Sequence, residues 1–454
     1  MFFCEIIKGN QLKNILIIAF RFPPSAVSGT FRSLGFVRHL AKSGWKQQVL
    51  TINQNLNESP DNTLLTKLPP DINIVRTGVI DIFRHVDRMK TLLKKTTPTP
   101  NHSSAPETTA SENTTKKPSF KETITYFLKT PDNQLGWFFP ALAGFFRLSK
   151  PAIVYSSAPP FTGHLIATVF KKIWRVPMVC DFRDPWLDNP FRVPRPGRVE
   201  KWDQWLERWV VRNADIIIAN TGPMAEAIKN RHPEAQNRVH VITNGYDPED
   251  FADITPLRDS DPDKFLLLHA GSLYGQRDPR HFLEGVQMLV KDKNCTQLKI
   301  QLIGPAESYG GLTLAEHINA LQLEEYVELI SSVPHQEALQ RMRGADMLLI
   351  FSQGTNLQVP AKIYEYMGLG KHIFAINEPD SATAHIMKGL GKQHVAVENC
   401  PTQIAEGLEK TYKLWHSNQN ANETVDDGSQ PFLRKTLTYQ LEVLMLSALE
   451  KKAQ

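Results

Sequence analysis

At 454 residues the chain is too long for one compact core, so two domains of ordinary size are expected. A composition of 41% hydrophobic and 22% charged residues is that of a folded globular chain. The net charge of +5 calls for no nucleic acid, while permitting attraction to an anionic membrane surface or a phosphorylated ligand. Four scattered cysteines (Cys4, Cys180, Cys295, Cys400) lack metal-ligand spacing, so no metal site is expected and the thiols read as reduced. The longest apolar stretch, Trp137 to Phe146, is about half a bilayer span and carries Pro140. The amino terminus, with Glu5 and Lys8 among its apolar residues, is a poor signal peptide, which places the expected location in the cytoplasm.

In chain order, Asn14 to Phe20 is a continuous apolar run, the pattern of a strand buried on both faces. A loop of Pro, Ser and Gly follows from Arg21 to Gly29, and helical periodicity resumes through Phe31, Leu34, Val37 and Leu40. The loop lacks GxGxxG spacing, which disfavours a dinucleotide site; Gly29 marks either a close approach to a ligand or a tight strand–helix turn. Gln48 to Ile52 is a second strand. Phe83, Val86, Met89 and Leu93 share a helical face in a setting crowded with Arg and Lys, a pattern that suits anionic lipid or a solvated helix packed on its own domain. Residues 97–119, mostly Thr, Ser, Pro, Asn, Lys and Glu, are expected to be disordered.

Beyond Phe120, a strand at Ala152 to Tyr155 is expected to lead into a loop from Ser156 through Pro160 and Thr162 to His164. Pro177 to Cys180 leads into Asp181-Phe-Arg-Asp-Pro-Trp186. Asp181, Arg183 and Asp184 either orient a sugar or act as acid and base, or else form a buried ion pair closing the loop. A helix rich in Trp and Arg (Trp202 to Arg212) precedes the strands Asp215 to Ala219 and Val239 to Ile242, the latter ending in Asn244-Gly-Tyr-Asp247.

Tyr246 to Lys264 reads as a linker, and Phe265 to His269 opens a second α/β series. It continues through Lys299–Ile303, Val327–Ile330, Met347–Phe351, His372–Ile376 and Val395–Val397, with loops at Ala270–Pro279, Gly304-Pro305 and Val333-Pro334. Within Gln358 to Lys371, Pro360 is expected as the first residue of a short helix, and Gly368 and Gly370 as its stops. Lys362 and Glu365 then share a face, serving either as a surface ion pair or as a cation for a diphosphate and a carboxylate for a ribose diol. Strand after strand ends in a polar or small-residue loop, which is where an open parallel sheet builds its ligand site. The expected fold class is α/β, with two doubly wound, Rossmann-like parallel-sheet domains facing a central cleft. The expected bounds are 1–250 and 264–425, with a helix at 430–454 crossing back to the first domain.

The order of five short motifs resembles the family 4 glycosyltransferases of the GT-B fold, in a branch similar to surface-polysaccharide enzymes. They are Phe22-Pro-Pro24, Ser156-Ser-Ala-Pro-Pro160, Asp181 to Trp186, Asn244 to Asp247 and Gly271-Ser-Leu-Tyr-Gly275. The resemblance implies transfer of a sugar from a nucleotide diphosphate sugar to a glycan or lipid-linked acceptor, with retention at the anomeric carbon. No cofactor or metal is implied, and peripheral contact with an anionic membrane is an accompanying expectation. Carried onto this sequence, it implies a diphosphate-neutralising role for Arg277, ribose binding by Glu365, and close approach of Gly29 to the donor. Gly271, Ser272, Gly304, Val333 and Pro360 complete the expected donor side, and Ser156, Ser157, Thr162 and Asp181 form the acceptor side. Arg183, Asp184, Arg277 and Lys362 are the candidate catalytic set. Three departures stand out: Leu357 occupies the place of the family's first motif glutamate, Ser272 that of an arginine, and Arg183 that of a cleft histidine. A sugar-nucleotide 2-epimerase and a binding protein with a decayed site are the competing readings.

Overall fold

A computed structural model describes residues 13–56, 60–81, 120–293, 295–417 and 428–453. The basic helix expected at 83–95 and the tract 97–119 lie outside the described residues. The strands form two parallel sheets. The first has seven strands in the order β3-β2-β1-β4-β5-β6-β7: β1 Asn14–Ala19, β2 Lys46–Ile52, β3 Asn73–Thr77, β4 Ile153–Ala158, β5 Met178–Phe182, β6 Ile216–Ala219 and β7 Val239–Val241. The second has six in the order β10-β9-β8-β11-β12-β13: β8 Phe265–Ala270, β9 Leu298–Ile303, β10 Val327–Ile330, β11 Met347–Phe351, β12 His372–Ile376 and β13 Val395–Val397.

In both sheets the order reverses beside the first strand of the series, β1 in one and β8 in the other, the doubly wound pattern that the alternation of apolar runs and helical segments predicts. Ile15 to Ala19 are buried to 2% exposure or less, as a strand covered on both faces requires. Around the second sheet, one apolar cluster centres on Leu266, Leu268, Ile350 and Ile363, and another on Leu267, Phe282, Leu349 and Phe374. Alternate residues of β8 and β11 thus supply opposite faces. By packing, the chain divides into two compact units. One comprises Met1–Thr30, Trp45–Cys180 and Phe191–Asp215; the other comprises Phe31–Gly44, Asp181–Pro190 and Ile216–Gln454.

Four boundaries differ from the sequence expectation. Strand β4 runs on through Ser156 and Ser157, so these serines lie in the sheet and not in a loop. Strand β5 includes Asp181, which is fully buried. Gly29 is the second residue of the helix Ser28–Lys42 and not part of the preceding loop. The helix expected from Pro360 spans Lys362–Gly368, with Ala361 as its cap and Pro360 outside it. Its carboxyl end does stop at glycine. Gly370 has φ +65°, the Gly370 amide donates to Met367 O at 2.9 Å and the Lys371 amide to Tyr366 O at 3.0 Å, the paired bonds of a Schellman motif. Gly368 matters for space instead, since a Cβ there would lie 2.4 Å from the Phe251 ring. Strand β3 carries no clear signal in the sequence, because its Ile-Val-Arg-Thr pattern is short and only half apolar.

The carboxyl-terminal helix Arg434–Ala453 starts beside Tyr246, whose backbone bridges to Leu433. Arg434 reaches Asp247 and Asp250 at 3.3 and 3.2 Å, and Arg38 meets the same two carboxylates at 3.2 and 3.1 Å. The start of the expected linker is therefore a packed corner. Among the described residues, no helix is long and apolar enough to cross a membrane.

Candidate functional site

The turns after β8, β9 and β10 leave the carboxyl edge of the second sheet and enclose a cavity of about 260 Å³. Its walls include His269 near the end of β8 and Gly271 after it, Gly304 after β9, Ile330 at the end of β10 and Ser331 after it, and Thr313 at the start of the helix Leu314–Ala320. The two glycine turns touch. Gly304 has φ +121°, a conformation that side chains other than glycine's rarely adopt, and a Cβ there would sit 2.6 Å from Gly271 O. The Gly271 amide donates to Ile303 O at 2.8 Å, and the Leu273 amide to Pro305 O at 2.9 Å. Glycine at 304 is therefore a condition of the wall itself.

His269, not singled out from sequence, is the buried ionisable group of this wall. Its Nδ1 bonds to Leu349 O at 3.0 Å, so Nδ1 carries the proton and Nε2 is left as an acceptor. Nε2 has no hydrogen-bond partner among the described residues, with the Gly271 backbone beside it. Burial, reinforced by the positive charges of Lys362 and Arg277, pushes the imidazole down to about 4. The cue in the sequence was a histidine closing an otherwise apolar strand just before Ala270-Gly271.

Of the two expected cations, Lys362 stands at this same wall. A Cβ placed on Gly271 would meet His269 Nε2 at 3.4 Å and Lys362 Cε at 3.5 Å. Lys362 Nζ stands 3.8 Å from Glu365 Oε2, one turn along the same face, and both side chains are about one-third exposed. At that distance the contact is an ion pair and not a hydrogen bond, and Glu365 Oε2 has no hydrogen-bond partner among the described residues. Arg277 is half-buried over the Tyr274 ring, 4.9 Å from its centroid, and its Nε likewise has no partner among the described residues. The Arg277 carbonyl accepts from Tyr309 Oη at 3.1 Å, and burial raises this phenol to about 12.

The remaining expected donor residues fall around this group unevenly. Ser272 is exposed on the turn, and Val333 packs against the apolar cluster of the second sheet without lining the cavity. Pro360 accepts from the Ile363 amide at 3.1 Å. The segment carrying Leu357 is tied down from elsewhere: Thr221 Oγ1 donates to Leu357 O at 2.7 Å, and Gln358 Nε2 to Asp184 Oδ1 at 2.7 Å. Asp184 is thereby held beside the loop that precedes Lys362. Arg183 lies just past β5, where its carbonyl accepts from Asn220 Nδ2 at 3.1 Å.

The acceptor-side residues are engaged internally. Ser156 Oγ meets His164 Nδ1 at 2.7 Å, both buried. Thr162 donates through its amide and its hydroxyl to Asp132, each at 2.9 Å. Ser157 is buried in β4. Asp181 takes a two-point ion pair from Arg32, Nε to Oδ2 and Nη2 to Oδ1, both 2.7 Å. Asp181 thus takes part in a buried ion pair, with Arg32 as a partner.

Comparison with known proteins bears on the family and the fold. The model for Glycosyltransferase Family 4 matches residues 97–250. A D-inositol 3-phosphate glycosyltransferase of Paenarthrobacter aurescens (strain TC1) is 24% identical over 257 residues, 53% of this chain and 60% of that protein. The chain thus spans about three fifths of that relative's length. Anabaena HepE, solved with UDP and glucose, superposes with a TM-score of 0.59 at 15% identity over 96% of this chain and 100% of that one. In sequence, the likeness to these glycosyltransferases covers part of the chain. A putative UDP-N-acetylglucosamine 2-epimerase from Listeria monocytogenes shares the architecture at a TM-score of 0.50, with 12% identity over 97% of both chains. At such identities the solved structures speak to the fold, which is GT-B, with two Rossmann-like parallel sheets.

Proposed function

We propose that the protein transfers a sugar from a nucleotide diphosphate sugar to a glycan or lipid-linked acceptor, with retention and without a bound metal. The observation that carries this is the approach of Lys362 to the Gly271 wall beside His269, with Arg277 farther along the same turn and unspent hydrogen-bonding atoms on Arg277, His269 and Glu365. Buried polar atoms left unpaired are costly unless a ligand completes them. A cavity of about 260 Å³ is smaller than a whole drug-sized site and suits one part of a donor, such as its base. The HepE structure holding UDP and glucose has the same architecture.

In this mechanism Arg277 and Lys362 neutralise the diphosphate and stabilise the charge that grows on it as the glycosidic bond breaks, commonly the largest catalytic contribution. Glu365 accepts from the ribose diol, and Gly271 and Gly304 let backbone amides approach the donor. His269 presents a neutral Nε2 acceptor and so adds no third positive charge. The departing phosphate takes the proton of the incoming hydroxyl, so no separate base is required. Arg183 and Asp184 face the sugar in this scheme.

The test is thermal stabilisation by a panel of nucleoside diphosphates and their sugars. A ligand at a hundredfold excess over its Kd adds about 2.7 kcal/mol. One nucleotide is expected to stabilise the protein, and Arg277→Glu is expected to abolish the effect. No response to any member of the panel overturns the proposal. The likeness to the epimerase architecture keeps one alternative, which a reaction with donor alone separates: a 2-epimer formed without acceptor identifies an epimerase, whereas a transferase leaves the donor's configuration unchanged. The anomeric configuration of a transferred sugar and the effect of a chelator test retention and metal independence.

A further inference from the structure

The helix Gly197–Asn213 carries Trp202, Trp205 and Trp209 on its outer side. Trp202 and Trp205 stack at 4.9 Å and 12°, Trp205 and Trp209 at 6.1 Å and 8°. Lys172, from the neighbouring helix Thr162–Trp174 of the same unit, lies 5.1 Å from the Trp209 ring. Despite this stacking Trp202 is 39% and Trp205 49% exposed, and Ile173 beside Lys172 is 54% exposed.

The charges on this helix are sorted. At about 100° per residue the three tryptophans and Arg198, Lys201, Arg208 and Arg212 fall within an arc of about 120°, and all four basic residues are exposed. The three carboxylates fall on the opposite side and are withdrawn. Asp203 is fully buried between Arg192 and Arg195 at 2.8 and 2.7 Å, Glu200 pairs with Arg192 at 2.6 Å, and Glu207 is 2% exposed. The solvent side of the helix is therefore aromatic and cationic, with no acid of its own to offset it.

We propose that this face seats the protein on an anionic lipid bilayer. Tryptophan is favoured at the depth where hydrocarbon meets headgroups, because its ring is apolar and its N–H polar. Arginine and lysine beside it answer the negative potential of anionic headgroups, and the segregation is that of an interfacial amphipathic helix. A glycan platform fits less well. Trp205 has an indole on each face, and Trp209 has Trp205 on one side and the Lys172 ammonium near its ring, so neither offers a sugar an open face. The proposal is independent of the donor site.

The test is co-sedimentation of the full chain with vesicles of equal parts phosphatidylcholine and phosphatidylglycerol, against vesicles of phosphatidylcholine alone. Binding is expected only to the anionic vesicles and is expected to weaken with added salt. Trp202→Ala with Trp205→Ala, and separately Lys201→Glu with Arg208→Glu, are each expected to weaken it by about tenfold or more. Both double variants keep the wild-type melting temperature and nucleotide response, which separates lost lipid contact from lost fold. Equal binding to both vesicle types, no binding, or variants that bind like the wild type overturn the proposal. Protection of indole fluorescence by a polysaccharide without vesicle binding also overturns it and assigns the face to glycan. A protein that ignores every nucleotide yet binds anionic vesicles loses the donor-site proposal alone.

Discussion

Two arginine sites in this molecule use the same chemistry to opposite ends. At Arg32 all five N–H donors are spent: two on Asp181, two on the carbonyls of Thr243 and Ile242, and one on Asn244 Oδ1. The guanidinium is 6% exposed and Asp181 fully buried, so the pair fastens the helix Ser28–Lys42 to β5 and to the turn after β7. At Arg277 the guanidinium is half-buried, its Nε is unpaired among the described residues, and the other members of its group, Lys362, His269 and Glu365, also retain unused capacity. A saturated arginine is a fastener. An unsaturated one keeps donors in hand for a ligand.

The contrast breaks most sharply at Arg32. Arg32→Ala leaves the Asp181 carboxylate buried without its partner, and chemical denaturation is expected to show a loss of about 3–5 kcal/mol. If stability is unchanged, the pair is not a fastener. Arg277→Glu is expected to do the reverse, leaving the denaturation midpoint in place while the transfer rate falls by about 10²–10³-fold, or roughly 2.7–4 kcal/mol of barrier. Lys362→Glu is expected to match it in kind, and unchanged turnover in both variants removes them from the site.

His269 sharpens the comparison through pH. Its folded value of about 4 lies below the usual 6.5 for histidine, so between these limits the unfolded chain binds the extra proton and stability falls as pH falls. The full swing is about 3 kcal/mol, and it is expected to be missing in His269→Gln when the two stability–pH curves are subtracted. Parallel curves place the imidazole in water. The smallest effect belongs to Gly370. A Cβ there meets nothing within 4 Å, so Gly370→Ala tests backbone conformation alone and is expected to cost about 1 kcal/mol, with donor binding retained.

Much of the fold was legible because buried parallel strands are written as short apolar runs, and Asn14–Ala19, Phe265–Ala270, Met347–Phe351 and His372–Ile376 stand where those runs stand. The pairing of Lys362 with Glu365 was legible for the same local reason, since one helical turn sets it. What escaped was of two kinds. Ser156 and Asp181 carry polar letters that suggest a loop, yet each is absorbed into a strand once a partner from another element satisfies it: His164 for Ser156, and Arg32, 149 residues away, for Asp181. His269 escaped because a single polar letter at the end of an apolar run signals nothing until the cavity beside it is known.

The sequence by itself determined the two α/β series, the glycine-bearing turns at their strand ends and the cations available there, because periodicity and turn chemistry act over a few residues. Only the tertiary structure decided which arginine is consumed by the scaffold and which is left for a ligand. It also decided that the carboxylates of the Trp-rich helix turn inward while its cations face out. Partner choice of that kind depends on which buried donors and acceptors meet across long sequence separations, and no local pattern encodes it.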